Sequence, residues 1–288
     1  MSNFSIVTES TCDLSKEKLA AWNIISAQGS FTLADGTTHT NDSINYADFF
    51  NYLRNGGSAK TAAINSSAYE DLFRAELEAG KDVLYLGFSS GLSATYNCAR
   101  MAAEELSEQY PDRKIYTVDS LCASLGQGLF VYLCAKKREE GATLEETYNY
   151  AEGLKNNIVH RFTVDDLYFL KRGGRVSATT AVVGSLLNIK PLMYMDYEGH
   201  LTVAGKVRGR KASIQAIVDR FGETALDINP DMPVFICHGD CLEDAEEMAS
   251  LVKNKYGVKE VYIDYVGPFI GAHSGPGTLA LFFVGKER

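Results

Sequence analysis

Val83-Leu84-Tyr85-Leu86-Gly87-Phe88-Ser89-Ser90-Gly91-Leu92-Ser93-Ala94-Thr95-Tyr96 is the stretch on which the fold turns. Its first four residues are uniformly apolar, the pattern of a strand covered on both faces at the centre of a parallel sheet. A glycine-punctuated, hydroxyl-rich turn follows and leads into a helix. Such a turn offers backbone N–H groups and hydroxyls at the positive end of a helix dipole, which suits a carboxylate or a phosphate. The same residues satisfy Gly-x-Ser-x-Gly between strand and helix, the nucleophile-elbow pattern, with Ser89 as nucleophile and His238 or His273 as base. The turn therefore reads as an anion site, with a serine hydrolase using Ser89 and His273 as the alternative.

Upstream, an apolar run over 4–7 ends in Glu9-Ser10-Thr11-Cys12-Asp13 and passes into a helix for which Asp13 is the expected N-cap. Residues 29–45 carry no clear period. A polar segment over 58–66 puts Thr61 in a loop, ahead of a helix opened by the capping box Ser67-x-x-Glu70. Downstream, Lys114-Ile115-Tyr116-Thr117-Val118 repeats the strand, with Asp119-Ser120 as its turn and an apolar helix over about 126–137 behind it. Strands alternating with helices imply a parallel α/β layer structure. In such sheets the ligand crevice forms at the carboxyl ends of the strands, where the turns at 8–13, 89–95 and 119–120 fall.

After His160 the texture changes. Pro191-Leu192-Met193-Tyr194-Met195 and His200-Leu201-Thr202-Val203-Ala204 flank Asp196-Tyr197-Glu198-Gly199, a hairpin signal, and helices over 211–221 and 242–255 alternate with short apolar strands up to Leu279-Ala280-Leu281-Phe282-Phe283-Val284. The expected class is α/β in two domains: an N-terminal parallel-sheet α/β/α domain over 1–158 and a C-terminal α+β domain over 159–288.

The 288 residues carry 28 basic and 37 acidic side chains, a net charge of −9, which argues against sequence-independent nucleic-acid binding and adhesion to an anionic membrane. The N-terminus lacks a signal-peptide pattern and no apolar run reaches membrane-spanning length, so a cytoplasmic location is expected. The six cysteines are scattered and read as reduced thiols. No P-loop, G-x-G-x-x-G fingerprint or helical His/Glu metal motif is present, so no cofactor is expected.

Two further features carry chemistry. Gly271-Ala272-His273-Ser274-Gly275-Pro276-Gly277 reads as a loop of fixed backbone shape from which His273 projects toward an anion. Two basic islands, Lys171, Arg172 and Arg175, then Lys206, Arg208, Arg210 and Lys211, stand out in an acidic chain and could bind phosphate or dock a partner.

With these residues assembled, the chain resembles the DegV family. The resemblance rests on an ordered series: Glu9-Ser10-Thr11-Cys12-Asp13, Lys60-Thr61, Ser89-Ser90-Gly91-Leu92-Ser93-Ala94-Thr95-Tyr96, Val118-Asp119-Ser120, Leu170-Lys171-Arg172-Gly173-Gly174-Arg175-Val176-Ser177, Ile189-Lys190-Pro191 and Ile270-Gly271-Ala272-His273-Ser274-Gly275-Pro276-Gly277. It implies a lipid-binding protein that holds a long-chain fatty acid between its domains, resembling the fatty acid-binding subunit of bacterial fatty acid kinase. Thr61 and Ser93 would bind the carboxylate with His273 close by, and Ser90, Thr95 and Ser120 would belong to the same hydroxyl-lined site. The protein would not itself be an enzyme. A separate ATP-dependent kinase would form the acyl phosphate, docking or passing phosphate at a rim of Arg172, Arg175 and Arg208. Two positions depart from the usual family pattern: Glu9, commonly Asp, and Ala62-Ala63-Ile64 after Thr61, commonly Ser-Gln-Pro.

Overall fold

The computed structural model describes residues 4–176 and 188–288, and Ser177 at the end of the 170–177 motif lies outside them. In the first half the chain runs β1 (Phe4–Glu9), α1 (Lys16–Ala21), β2 (Ile24–Ala27), β3 (Ser30–Leu33), β4 (Thr38–Thr40), α2 (Tyr46–Arg54), β5 (Ala59–Ala62), α3 (Ser66–Glu78), β6 (Asp82–Gly87), α4 (Thr95–Gln109), β7 (Ile115–Asp119), α5 (Leu125–Glu139) and α6 (Leu144–Leu154). The second half runs β8 (Ile158–Thr163), α7 (Tyr168–Arg172), β9 (Ile189–Met195), β10 (Leu201–Arg208), α8 (Arg210–Thr224), β11 (Val234–His238), α9 (Leu242–Tyr256), β12 (Val261–Tyr265), α10 (Pro268–Ser274) and β13 (Leu279–Val284).

The apolar run at 83–86 becomes β6, inside a four-stranded parallel sheet of order β2-β1-β6-β7. Its side chains alternate as a strand requires: Leu84 and Leu86 enter the central core, while Val83 and Tyr85 face a second core beneath α3 and α4. The C-terminal half forms a six-stranded sheet of order β10-β9-β8-β13-β11-β12, antiparallel except for β11 beside β12. In β13, Ala280 and Phe282 face the central core and Leu279, Leu281 and Phe283 face α8 and α9. The anticipated N-terminal parallel layer, second α+β domain and hairpin at 196–199 are all present.

Between the two sheets lies α5. Its buried residues run around the whole cylinder, including Leu125, Gln127, Leu129, Phe130, Cys134 and Arg138. A helix buried on every side must be covered on every side, and α5 packs on α6 and the 10–12 turn on one flank and on β8, β11 and β13 on the other. Gly126 permits one of these approaches, since a Cβ there would lie 2.2 Å from Nε2 of His160.

Several local expectations are corrected. The first helix is capped by Ser15, whose hydroxyl accepts the Lys18 N–H, while Asp13 turns into left-handed backbone (φ 53°) and is buried. The next long helix is opened by Asn65, whose side chain accepts the Ala68 N–H at 3.0 Å, in place of Ser67 and Glu70. Residues 29–45 are mostly ordered as a β3–β4 hairpin closed by Asp35-Gly36, with Gly36 at φ 88°, and β5 pairs with β3 to complete a small antiparallel sheet. Thr61 is therefore a strand residue, opposite Phe31, and no longer a loop residue. The 271–277 loop is in its first part the end of α10, so His273 is held in a helical turn started by Pro268.

Replacing Phe130 in α5 by Ala should cost about 3–5 kcal/mol of stability, because its fully buried ring would leave a cavity in the core. Met101→Ala, at a side chain 57% exposed, should stay within about 0.5 kcal/mol. Urea denaturation of the two variants measures the contrast.

Candidate functional site

A cavity of about 310 Å³ lies between the two sheets, within the range of about 300–1,000 Å³ common to ligand clefts. The C-terminal sheet supplies one wall. Thr278, Ala280 and Phe282 enter the lining on alternate residues, a depth of about 13 Å at the rise of an extended strand, with His160 and Phe162 of β8 beside them. Phe88, Leu92, Ala94 and Ala123 from the N-terminal domain form the opposite wall, and Phe269 and Ile270 of α10 form another. The lining is mainly apolar, and besides Ser124, His160 and Thr278 its polar groups are Thr61, Ser93, Arg175, His273 and Ser274, contributed by β5, the 87–95 turn, the segment after α7, and α10.

Thr61 and His273 meet across this region, Oγ1 to Nε2 at 2.7 Å. Burial, then the positive charges of Arg175 and Arg172, push the imidazole down to about 4. His273 is thus neutral at physiological pH and acts by hydrogen bonding. Ser93 precedes α4 and accepts the Thr95 N–H at 3.2 Å, which leaves its hydroxyl proton available to Thr95 Oγ1 or to a ligand. Thr95 is fully buried and outside the lining. Its Oγ1 accepts the Ile64 N–H at 3.4 Å and meets Ser93 Oγ at 3.0 Å, so it ties the strand bearing Thr61 to the turn bearing Ser93.

Ser90 and Ser120 also stand outside the lining. Ser90 is exposed, and its backbone N–H donates to Asp119 at 3.2 Å. Ser120 is buried, its hydroxyl accepting the Cys122 N–H at 3.1 Å. Both shape the turns on which the cavity walls rest.

Ser89 does not meet the requirements of a nucleophile. It is completely buried and donates its proton to the Gly199 carbonyl at 2.8 Å, joining the 87–91 turn to the hairpin of the other domain. Gly199 permits this contact, since a Cβ there would lie 2.1 Å from Ser89 Oγ. His273 is paired with Thr61, and His238 accepts the Cys241 N–H at 3.3 Å while its ring lies against Tyr265. With its proton committed and no base paired with Ser89 among the described residues, the hydrolase alternative falls.

The basic islands separate. Arg175 lines the cavity, its Nε donating to the Leu92 carbonyl at 3.2 Å and its Nη1 to Gly173. Arg172 is exposed nearby on α7, its guanidinium 4.9 Å from the Phe169 ring centroid. Arg208 is exposed on β10, outside the lining, and Arg210 is paired with Asp244 at 2.9 Å.

A buried polar network beneath the turn was not anticipated. Glu9 accepts hydrogen bonds from the Phe88 N–H and from Gln127 Nε2, and Gln127 also donates to Thr8 Oγ1 and accepts from Thr11. Gln127 alone among apolar neighbours in Leu125-Gly126-Gln127-Gly128-Leu129-Phe130 is the sequence signal for it. Burial raises Glu9 to about 7 against those hydrogen bonds, and raises Asp13, which accepts from Ser124, to about 8. His160 is pushed down to about 3 by burial, with its Nε2 accepting the Ala123 N–H at 3.1 Å. All six cysteines are free.

This is a two-domain α/β protein with an interdomain cavity, mainly apolar and bearing a hydroxyl–imidazole pair. The family model described as "Uncharacterised protein, DegV family" matches residues 3–286, and the chain belongs to the DegV family. It is 41% identical over 291 aligned positions to a DegV domain-containing protein of Clostridium perfringens, covering 100% of this chain and 99% of that one. Among solved structures, a DegV family protein from Thermus thermophilus, reported for fatty acid binding, matches with TM-score 0.88 and 28% identity over 98% of this chain and 99% of its own. DegV from Bacillus subtilis, reported as a fatty acid binding protein, matches with TM-score 0.84 and 26% identity over 99% and 100% of the two chains.

Because folded Glu9 holds its proton up to about pH 7 against an ordinary 4.5, its stabilising share is complete below pH 4.5 and is lost as pH rises through 7. The stability of Glu9→Gln relative to the wild type should therefore increase between pH 5 and pH 8, measured by urea denaturation at both values. A difference independent of pH would contradict a buried, protonated Glu9.

Proposed function

We propose that this protein binds a long-chain fatty acid, with the acyl chain in the interdomain cavity and the carboxylate at Thr61, Ser93 and His273. It then presents that carboxylate to a separate ATP-dependent kinase, which forms the acyl phosphate. The observation that carries the reading is the make-up of the cavity: apolar walls about 13 Å deep, with the Thr61–His273 pair and Ser93 in the lining. The solved relatives reported as fatty acid binders support it at the level of the fold and the ligand class.

Affinity would come from the tail, at about 0.8 kcal/mol for each methylene removed from water. Hydroxyl and neutral imidazole donors would fix the head group while leaving it anionic, and an anionic carboxylate oxygen is the nucleophile that attack on a γ-phosphoryl group requires. Arg175 in the lining and Arg172 outside it would face the transferring phosphate or the docked kinase, with Arg208 as an outlying contact. Thr95, Ser90 and Ser120 would serve by holding the walls in place.

Mass spectrometry of lipid extracted from the purified protein tests the reading. A long-chain fatty acid in stoichiometric amount is expected, whereas an empty protein that also fails to displace a fluorescent fatty acid overturns it. Thr61→Val and Ser93→Ala should each weaken fatty acid binding about ten-fold, the cost of one hydrogen bond to a charged group. Arg172→Ala should leave that affinity unchanged and slow acyl phosphate formation by the cognate kinase with ATP, trapped as the hydroxamate. Equal phosphorylation rates would remove Arg172 from the kinase-facing rim.

A further inference from the structure

Among the described residues, every hydroxyl in the cavity lining but one has a partner within the protein. Thr61 is paired with His273, Ser93 with Thr95, Ser124 with Asp13, and Thr278 with the carbonyls of Ser274 and Gly275. Ser274 is the exception. Ser274 belongs to the cavity lining, the residue is only 6% exposed, and its buried Oγ has no hydrogen-bond partner among the described residues. A helical serine ordinarily relieves itself by bonding the carbonyl one turn back, and this one does not. A buried hydroxyl without a partner is a standing cost that a ligand oxygen would remove.

Its position suits one particular oxygen. Ser274 follows His273 in the last turn of α10, about 100° further around the helix, and both residues belong to the lining. His273 is turned to Thr61 of the N-terminal domain, whereas Ser274 is near Thr278, whose hydroxyl bonds its carbonyl on the side of the C-terminal sheet. A carboxylate seated at Thr61, Ser93 and His273 has two oxygens with about four acceptor positions, more than those three residues fill.

We propose that Ser274 is a further ligand-contacting residue, its hydroxyl donating to the carboxylate oxygen that does not face Thr61, so that it selects for the ionised acid. This rests on the fatty acid reading above. The test compares wild type and Ser274→Ala by calorimetric titration with a long-chain fatty acid and with the primary alcohol of the same chain length, together with thermal unfolding of the delipidated proteins.

Loss of a charge-assisted hydrogen bond should lower affinity for the acid about ten-fold while affinity for the uncharged alcohol falls by about two-fold or less. The melting temperature of the delipidated variant should match or exceed that of the wild type, since an unpartnered buried hydroxyl has been removed. Unchanged affinity for the acid, or an equal loss for acid and alcohol, overturns the assignment while leaving the fatty acid reading intact. A wild-type protein that binds neither ligand overturns both.

Discussion

The structure depends on the burial of α5 on every side. A helix buried around its circumference from Leu125 through Phe130 to Cys134 cannot sit at a surface, and here it is covered by α6 and the 10–12 turn on one flank and by β8, β11 and β13 on the other. Stacking two sheets on one helix makes their carboxyl-end turns and strand ends converge. The cavity opens where α5 begins, with Ala123 and Ser124 in its lining. Within this layer Gln127 spends its amide on Thr8, Glu9 and Thr11, and Glu9 in turn holds the Phe88 N–H in the wall. The position of the 87–95 turn is thus set from beneath by a buried amide and carboxyl.

The electrostatics around the cavity share one cause. Desolvation is the largest influence on Glu9, Asp13, His160 and His273, raising the acids and lowering the histidines, and each is driven toward its neutral form. Around the hydroxyl–imidazole pair the fixed positive charge comes from Arg175 in the lining and Arg172 outside it. On the proposed reading an anion there would be held by oriented donors, and a weakly compensated carboxylate would keep its reactivity toward an electrophile. A buried ion pair would fix the same group more firmly and quench it.

What could be read from the residues alone divides along physical lines. The run at 83–86, the hydroxyl turn after it and the hairpin at 196–199 are short-range patterns, and each formed where expected. Thr61 in β5 was missed because its strand is only four residues long and its partner lies across a hairpin announced by a single Asp35-Gly36 pair. That pair is a turn signal, and weighing it against the polar composition of 29–45 would have found the small sheet. The caps at Ser15 and Asn65 differ from expectation because several adjacent polar residues could each cap, and only backbone geometry selects among them. Ser124 has φ 54° with a β-carbon, a conformation enforced by tertiary contacts that leaves no trace in composition.

The serines of the turn show why residue type alone could not assign roles. Ser89 and Ser93 are both hydroxyls beside a glycine-rich bend, and the Gly-x-Ser-x-Gly pattern favours Ser89. Depth decides otherwise. Ser89 points into the domain junction, where the Gly199 carbonyl takes its proton, so it acts as a bolt between the turn and the opposite hairpin. Ser93 lies at the start of α4, where accepting the Thr95 N–H orients its oxygen and leaves a proton to donate into the cavity. With the bolt in place, Ser93 and the strand bearing Thr61 are held in fixed relation through Thr95. A carboxylate site can therefore be assembled from three separate segments without a dedicated binding loop.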